Sequence, residues 1–230
     1  VSSYDPPLRP VSCDTGLFCV STMAANCVVL SIVLMVREGI PFVLVPGAFI
    51  ILFGVLQWWI PAAICLFICL FMAYFFRDPA RIIPDEPGII VSAADGRVTR
   101  IDELPEGKLV SVFLSPLDVH INRSPIAGRI ETIDYVKGKK LPATSNNASF
   151  VNERNTLDIR DGGVSVKCTQ IAGILARRIV CWPSKGDNLE RGQKFGLIKF
   201  SSRTDLLMPG DVTIEVKVGD RVRGGETIIA

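Results

Sequence analysis

The sequence predicts a mainly β domain of sandwich or barrel-sandwich type, preceded by a transmembrane or membrane-inserted helical hairpin. Three observations predict it. No charged residue lies between Glu38 and Arg77, which leaves 38 uncharged residues, Gly39 to Phe76. From Arg77 onward Pro and Gly recur roughly every 8–12 residues, with short β-branched runs between them, as in all-β folds of short strands. The last segment alternates valines around Gly219-Asp220, where glycine suits a tight turn of positive φ.

Composition sets the outer bounds. The chain has 230 residues, enough for one domain or one domain with an appendage. It is 49% hydrophobic and 21% charged, with a mean hydropathy of +0.38, which excludes disorder. Its net charge of +2 lacks the basic excess of a nucleic-acid binder. There is one histidine, His120, so a His-rich zinc site is excluded and any imidazole chemistry passes through that residue.

The uncharged run is too long for one span of about 20 residues and suits a hairpin. It breaks at Gln57-Trp58-Trp59-Ile60-Pro61, where tryptophans favour an interface and proline a turn. The reading is two helices, Pro41 to Leu56 and Pro61 to Phe76, of 16 residues each. That is short for full spanning, so a re-entrant hairpin in one leaflet is the alternative. Arg37 on one side, with Arg77 and Arg81 on the other, puts both flanks and the following domain on the cytoplasmic face. Upstream, Leu17 to Val36 is a weaker third apolar stretch, interrupted by Ser21, Thr22, Asn26 and Ser31. Residues 1–36 are read as an N-terminal extension. Five of the seven cysteines (Cys13, Cys19, Cys27, Cys65, Cys69) precede the polar domain, and no CxxC occurs, so they read as buried or lipid-facing thiols.

In the polar part, strands are expected at Leu109–Leu114, Gly128–Val136, Thr156–Arg160, Val164–Ile171, Phe195–Phe200 and Val212–Val218, with Leu175 to Cys181 either strand or helix. The pattern V-x-V-G-D-x-V-x-x-G-E, Val216 to Glu226, is common in lipoyl- and biotinyl-type sandwiches, but the modifiable lysine of a carrier turn is missing.

Three places carry candidate chemistry. Asp95 lies in Ala94-Asp95-Gly96, which by itself reads as a turn. His120 follows Asp118 by two positions, between Ser115-Pro116 and Ser124-Pro125; on a strand these two share a face. A lone histidine is more often structural. Ser201-Ser202 follows the apolar run Phe195–Phe200 and reads by itself as a solvated strand end.

The order of hydrophobic hairpin, F-F-R-D-P, A-D-G, L-S-P-x-D-V-H-x-N-R-S-P, N-E-R-N, Q-I-A-G-x-x-A-R-R-I-V and F-G-L-I-K-F-S-S-R resembles phosphatidylserine decarboxylase proenzymes of the short bacterial type, a pyruvoyl-dependent family. The likeness runs from about Arg37 to the last residue. It implies self-cleavage between Ser201 and Ser202 into a large chain, 1–201, and a small chain, 202–230, within a membrane hairpin (37–80) and catalytic β domain (81–230). Ser202 would be the nucleophile and become a covalent pyruvoyl group. His120 would be base and proton donor, oriented by Asp95 or, as second choice, Asp118. The mature enzyme would form a Schiff base with phosphatidylserine and release CO₂ and phosphatidylethanolamine. Arg123, Asn152, Arg154 and Arg177 are the candidates for binding the phospholipid, Trp182 for an interfacial anchor. The resemblance also implies a membrane-bound homodimer and no metal. Ser201 departs from the family's glycine, which would give the turn most freely. A decarboxylase of another serine lipid, or a non-catalytic membrane-tethered adaptor, are the alternatives.

Overall fold

The computed structural model describes residues 35–139, 141, 151–173, 178–200 and 202–230. Ser201, Arg177, Cys13, Cys19, Cys27 and the apolar stretch ahead of Met35 lie outside the described residues.

After a 3-10 turn at Arg37–Gly39, two apolar helices follow, α1 (Ile40–Val55) and α2 (Trp59–Phe75). They form the expected hairpin, and Gln57 makes the break with a φ of 58°. The second helix starts two residues earlier than expected. Pro61 is tolerated there because the first turn of a helix has no intrahelical use for its N–H. Both helices are apolar all round, and Ile51, Trp59, Ile60 and Phe67 are exposed on them. Arg37–Val55 is long and apolar enough to cross a membrane by length and composition; Trp59–Phe75 is shorter.

The open end of the hairpin is fastened to the β domain. Gly39 lies so close to Phe76 that a Cβ there would come within 2.5 Å of it. Met35, Val36, Val43, Phe75 and Phe76 form one buried cluster with Val119, Ile121 and Leu197 of the β domain. Trp182 donates its indole N–H to Glu38 at 2.7 Å, so it sits at the hairpin's base.

The β domain has eleven described strands: β1 (Gly96–Leu104), β2 (Gly107–Leu114), β3 (Ile121–Arg123), β4 (Gly128–Val136), β5 (Arg154–Asp161), β6 (Val164–Ala172), β7 (Ile179–Cys181), β8 (Asn188–Leu189), β9 (Lys194–Ile198), β10 (Ser202–Met208) and β11 (Arg221–Val222). Eight form an antiparallel sheet in the order β11-β1-β2-β10-β6-β5-β4-β8; three form a second sheet, β3-β9-β7. Period-2 alternation builds the core: Val110, Val112 and Leu114; Leu157 and Ile159; Val166 and Cys168; Leu206 and Met208 all point to one buried cluster, which Phe195 of β9 joins. The mainly β class predicted from the sequence is therefore observed, and the two described α-helices are those of the hairpin.

Two expectations are corrected. Val212–Val218 is not a strand. It meets the rest of the domain only through isolated bonds such as Glu215 N–H to the Ile229 carbonyl at 2.9 Å, so no ladder enforces alternation, and Val216 is buried while Val218 is 61% exposed. The Gly-Asp turn in that segment does form, with Gly219 at φ 102°. The polar segment starting at Ser202 is not a solvated strand end; it opens β10, which lies between β2 and β6.

Candidate active site

Ser202 starts β10 opposite Leu114 of β2 and Ala172 of β6. It is fully buried, and its Oγ has no hydrogen-bond partner among the described residues. A buried hydroxyl left in that state costs about 1–3 kcal/mol, a cost that Ser111 Oγ also carries among the described residues. Two residues earlier, Phe200 has a φ of 64°, a left-handed conformation that costs an ordinary residue about 1–2 kcal/mol. Aromatic packing holds it there: its ring stacks on Phe75 at 4.5 Å and meets Phe76 and Phe42 edge-on. A residue of left-handed conformation therefore stands two positions ahead of Ser202.

His120 leads into β3 and is 1% exposed. Its Nδ1 is 3.0 Å from the main-chain carbonyl of Asp118. A carbonyl can only accept, so Nδ1 carries the proton and Nε2 holds the lone pair. Nε2 is buried and also lacks a hydrogen-bond partner among the described residues. Phe75 packs on the imidazole at 4.3 Å, so one ring of the hairpin touches both His120 and Phe200. Burial pulls the His120 pKa down to about 4, against the Asp118 carbonyl and carboxylate, which raise it. The ring is therefore neutral near pH 7, the state a general base needs.

Neither candidate carboxylate is hydrogen-bonded to that ring. Asp95 accepts from Arg81 Nη2 at 2.6 Å and from the Gly224 N–H at 2.8 Å. Burial pushes its carboxyl pKa up, and Arg81 opposes that. The Asp118 carboxylate accepts from the Ser115 N–H at 2.8 Å. The imidazole is oriented by the Asp118 main chain.

The lipid-binding candidates are dispersed. Arg123 is buried, its guanidinium bonded to the Gly192 carbonyl (3.1 Å), the Asp78 carboxylate (3.2 Å) and the Pro79 carbonyl (3.3 Å), so it joins loops rather than facing a ligand. Asn152 is also fully buried and bonded to the main chain of Leu141 and to the Ala172 carbonyl. Arg154 lines a cleft of about 340 Å³ with Arg100, Lys167 and Asp205, a lining that includes neither His120 nor Ser202.

Beneath Ser202 runs a buried polar chain. Asn122 Nδ2 donates to Thr204 Oγ1 at 2.9 Å and to the Ala93 carbonyl at 3.3 Å. Its Oδ1 accepts from Gln170 Nε2 at 2.9 Å, and Gln170 Oε1 accepts from Asn155 Nδ2 at 3.0 Å.

Residues 68–230 match the family described as phosphatidylserine decarboxylase. A phosphatidylserine decarboxylase proenzyme of Symbiobacterium thermophilum is 48% identical over 203 residues, 84% of this chain and 93% of the relative. Proenzymes of the same description from Geotalea uraniireducens and Nitrosomonas europaea are each 42% identical, with the same coverage. This chain belongs to the phosphatidylserine decarboxylase family. It is an enzyme of that kind.

Sequence reasoning placed this family's motifs on Asp95, His120 and Ser202 but missed their neighbours. Arg81, partner of Asp95, looked like one more flanking positive charge. Phe75 and Phe200 looked like ordinary hairpin and strand residues. Asn122 and Thr204 carried a readable signal, each standing two positions beyond a candidate on what proves to be strand.

Proposed function

We propose that this chain is a self-processing, pyruvoyl-dependent enzyme that converts phosphatidylserine to phosphatidylethanolamine and CO₂ at a membrane surface. One observation carries the reading: among the described residues Ser202 Oγ and His120 Nε2 are both buried without hydrogen-bond partners, and Phe75 packs on both His120 and Phe200, the residue two before Ser202. A hydroxyl nucleophile needs a neutral base nearby, and His120 is the chain's sole imidazole.

In this reading His120 Nε2 takes the Ser202 hydroxyl proton while Oγ attacks the Ser201 carbonyl carbon. The amide C–N bond breaks, the proton passes to the freed nitrogen, and an ester joins the two chains. Loss of the Ser202 α-proton then expels the Ser201 carboxylate and leaves a dehydroalanine amine. One water hydrolyses its imine tautomer, releasing ammonia. The products are a large chain ending at Ser201 and a 29-residue chain, positions 202–230, that begins with the ketone. The buried Oγ, without a partner among the described residues, and the left-handed residue ahead of it fit a serine that becomes such a group. The pyruvoyl group supplies an electron sink for loss of CO₂. His120 Nε2 then holds the proton that is returned to the lipid headgroup carbon.

The hairpin, 37–80, serves as membrane anchor and the domain 81–230 as catalytic unit in this reading. Exposed apolar side chains on both helices support the anchor, and the flanking Arg37, Arg77 and Arg81 support a cytoplasmic domain. A homodimer belongs to the reading on family grounds alone.

Intact mass of freshly purified protein, with and without a hydrazine, tests it. A 29-residue fragment carrying a hydrazone, absent from Ser202→Ala, is expected, together with phosphatidylethanolamine formed from phosphatidylserine vesicles. A chain that stays whole and forms no product refutes it.

A further inference from the structure

We propose that Asn122 is a positioning residue for self-cleavage: its buried carboxamide locks the sheet that carries His120 to the strand that begins with the nucleophile. The assignment rests on Ser202 being that nucleophile.

The amide joins three segments at the same two-residue offset. Asn122 is two residues from His120, its partner Thr204 is two from Ser202, and its partner Ala93 is two from Asp95. On a strand, positions i and i+2 share a face, so Thr204 reports the orientation of the Ser202 side chain directly. Its third partner, Gln170, lies on β6 two residues before Ala172, the cross-strand neighbour of Ser202.

The orientation of the amide is fixed. The Ala93 carbonyl only accepts, so Nδ2 must face it, and Oδ1 must face the Gln170 amide N–H. Turning the group over would set two carbonyl oxygens against each other. Asn122, Thr204 and Gln170 are each no more than 1% exposed, so no water competes for these bonds. Gly196 backs the network: a Cβ there would lie 2.9 Å from Gln170 Nε2 and 2.3 Å from the Val180 carbonyl.

The consequence is geometric. Asn122 lies on β3, the edge of the β3-β9-β7 sheet, and His120 immediately precedes that strand, whereas Ser202 and Thr204 belong to the eight-stranded sheet. Among the described residues, Asn122 hydrogen-bonds side chains of two central strands, β10 and β6, at this point. It thereby sets the separation of base and nucleophile. A misplacement of about 1 Å in such a pair costs about a hundredfold in rate.

The test is a time course of cleavage at position 202 after synthesis into vesicles, for the full chain and three variants. Melting temperatures are taken on the same variants made uncuttable by Ser202→Ala. Thr204→Val removes the acceptor and keeps the shape; Asn122→Asp keeps the bond from Gln170 and removes the donors. Each is expected to slow cleavage at least about tenfold. Thr204→Ser, which restores the hydroxyl, is expected to cleave within about twofold of the unmodified chain. The slowing must persist on cooling to temperatures where the variants are fully folded, which a loss of stability alone would not do. Thr204→Val cutting as fast as the unmodified chain, or recovering fully on cooling, overturns the assignment alone. An unmodified chain that is never cut overturns the self-cleavage reading, and this assignment with it.

Discussion

Acidification read by a histidine-selective probe reports on His120 alone, because no second imidazole exists in the chain. The ring is 1% exposed and covered by Phe75, and burial lowers its pKa from 6.5 to about 4. Between those two values the unfolded chain binds a proton that the folded chain refuses. Folding stability must therefore be full above pH 6.5 and fall as the pH drops toward 4, by about 3 kcal/mol from this residue. The assay is the ¹⁵N-histidine NMR titration of the uncuttable Ser202→Ala chain in nanodiscs, paired with denaturant unfolding at each pH. A midpoint near 4 is expected. Phe75→Ala, which opens the imidazole to water, should move it back toward 6.5. Self-cleavage of the unmodified chain should be flat from about pH 8 to about pH 5 and then fall about tenfold per unit once the ring is protonated. A midpoint near 6.5 in the unmodified environment, or no response to Phe75→Ala, would refute the claim that burial under the hairpin keeps this base neutral.

Two other substitutions probe neighbouring contacts. Arg81→Met leaves the mostly buried Asp95 carboxylate with the Gly224 N–H alone, and should lower unfolding stability by about 3–5 kcal/mol while raising the Asp95 pKa further; a loss well under 1 kcal/mol would mean the pair is solvated. Ser201→Gly frees the backbone next to the left-handed Phe200 and should speed cleavage by about 3–10-fold in a pulse-chase, the equivalent of roughly 1 kcal/mol; an unchanged rate would show that Phe200 already supplies the turn.

The hairpin was legible because charge is absent from Gly39 to Phe76, and charge is what water-facing helices keep. Strands such as β4 and β6 were legible because their alternation is set by one buried face. β10 was not: its start, Ser202-Arg203-Thr204-Asp205, reads as solvent-facing, yet it occupies the middle of a sheet. Its polarity is answered across the core by groups such as Asn122, distant in sequence. Val212–Val218 erred the other way, since alternating valines outline a strand only when a partner edge runs beside them. The carboxylate expected to orient His120 illustrates the same limit. Spacing brings Asp118 near the ring, but it was the main-chain oxygen, which every residue carries, that made the bond.

The central place of β10 has a consequence for the order of events during synthesis. Both neighbours, β2 and β6, leave the ribosome before it, so the sheet is left with a gap in its middle. Phe75, which covers the histidine, is made 127 residues ahead of Ser202, a lead of roughly 6–25 s at about 5–20 residues per second. If the hairpin is the membrane anchor proposed above, it can reach the bilayer before the serine exists. On the proposed reading, the strand that fills the gap is also the strand that brings the nucleophile, so closing the sheet and arming it would be one event.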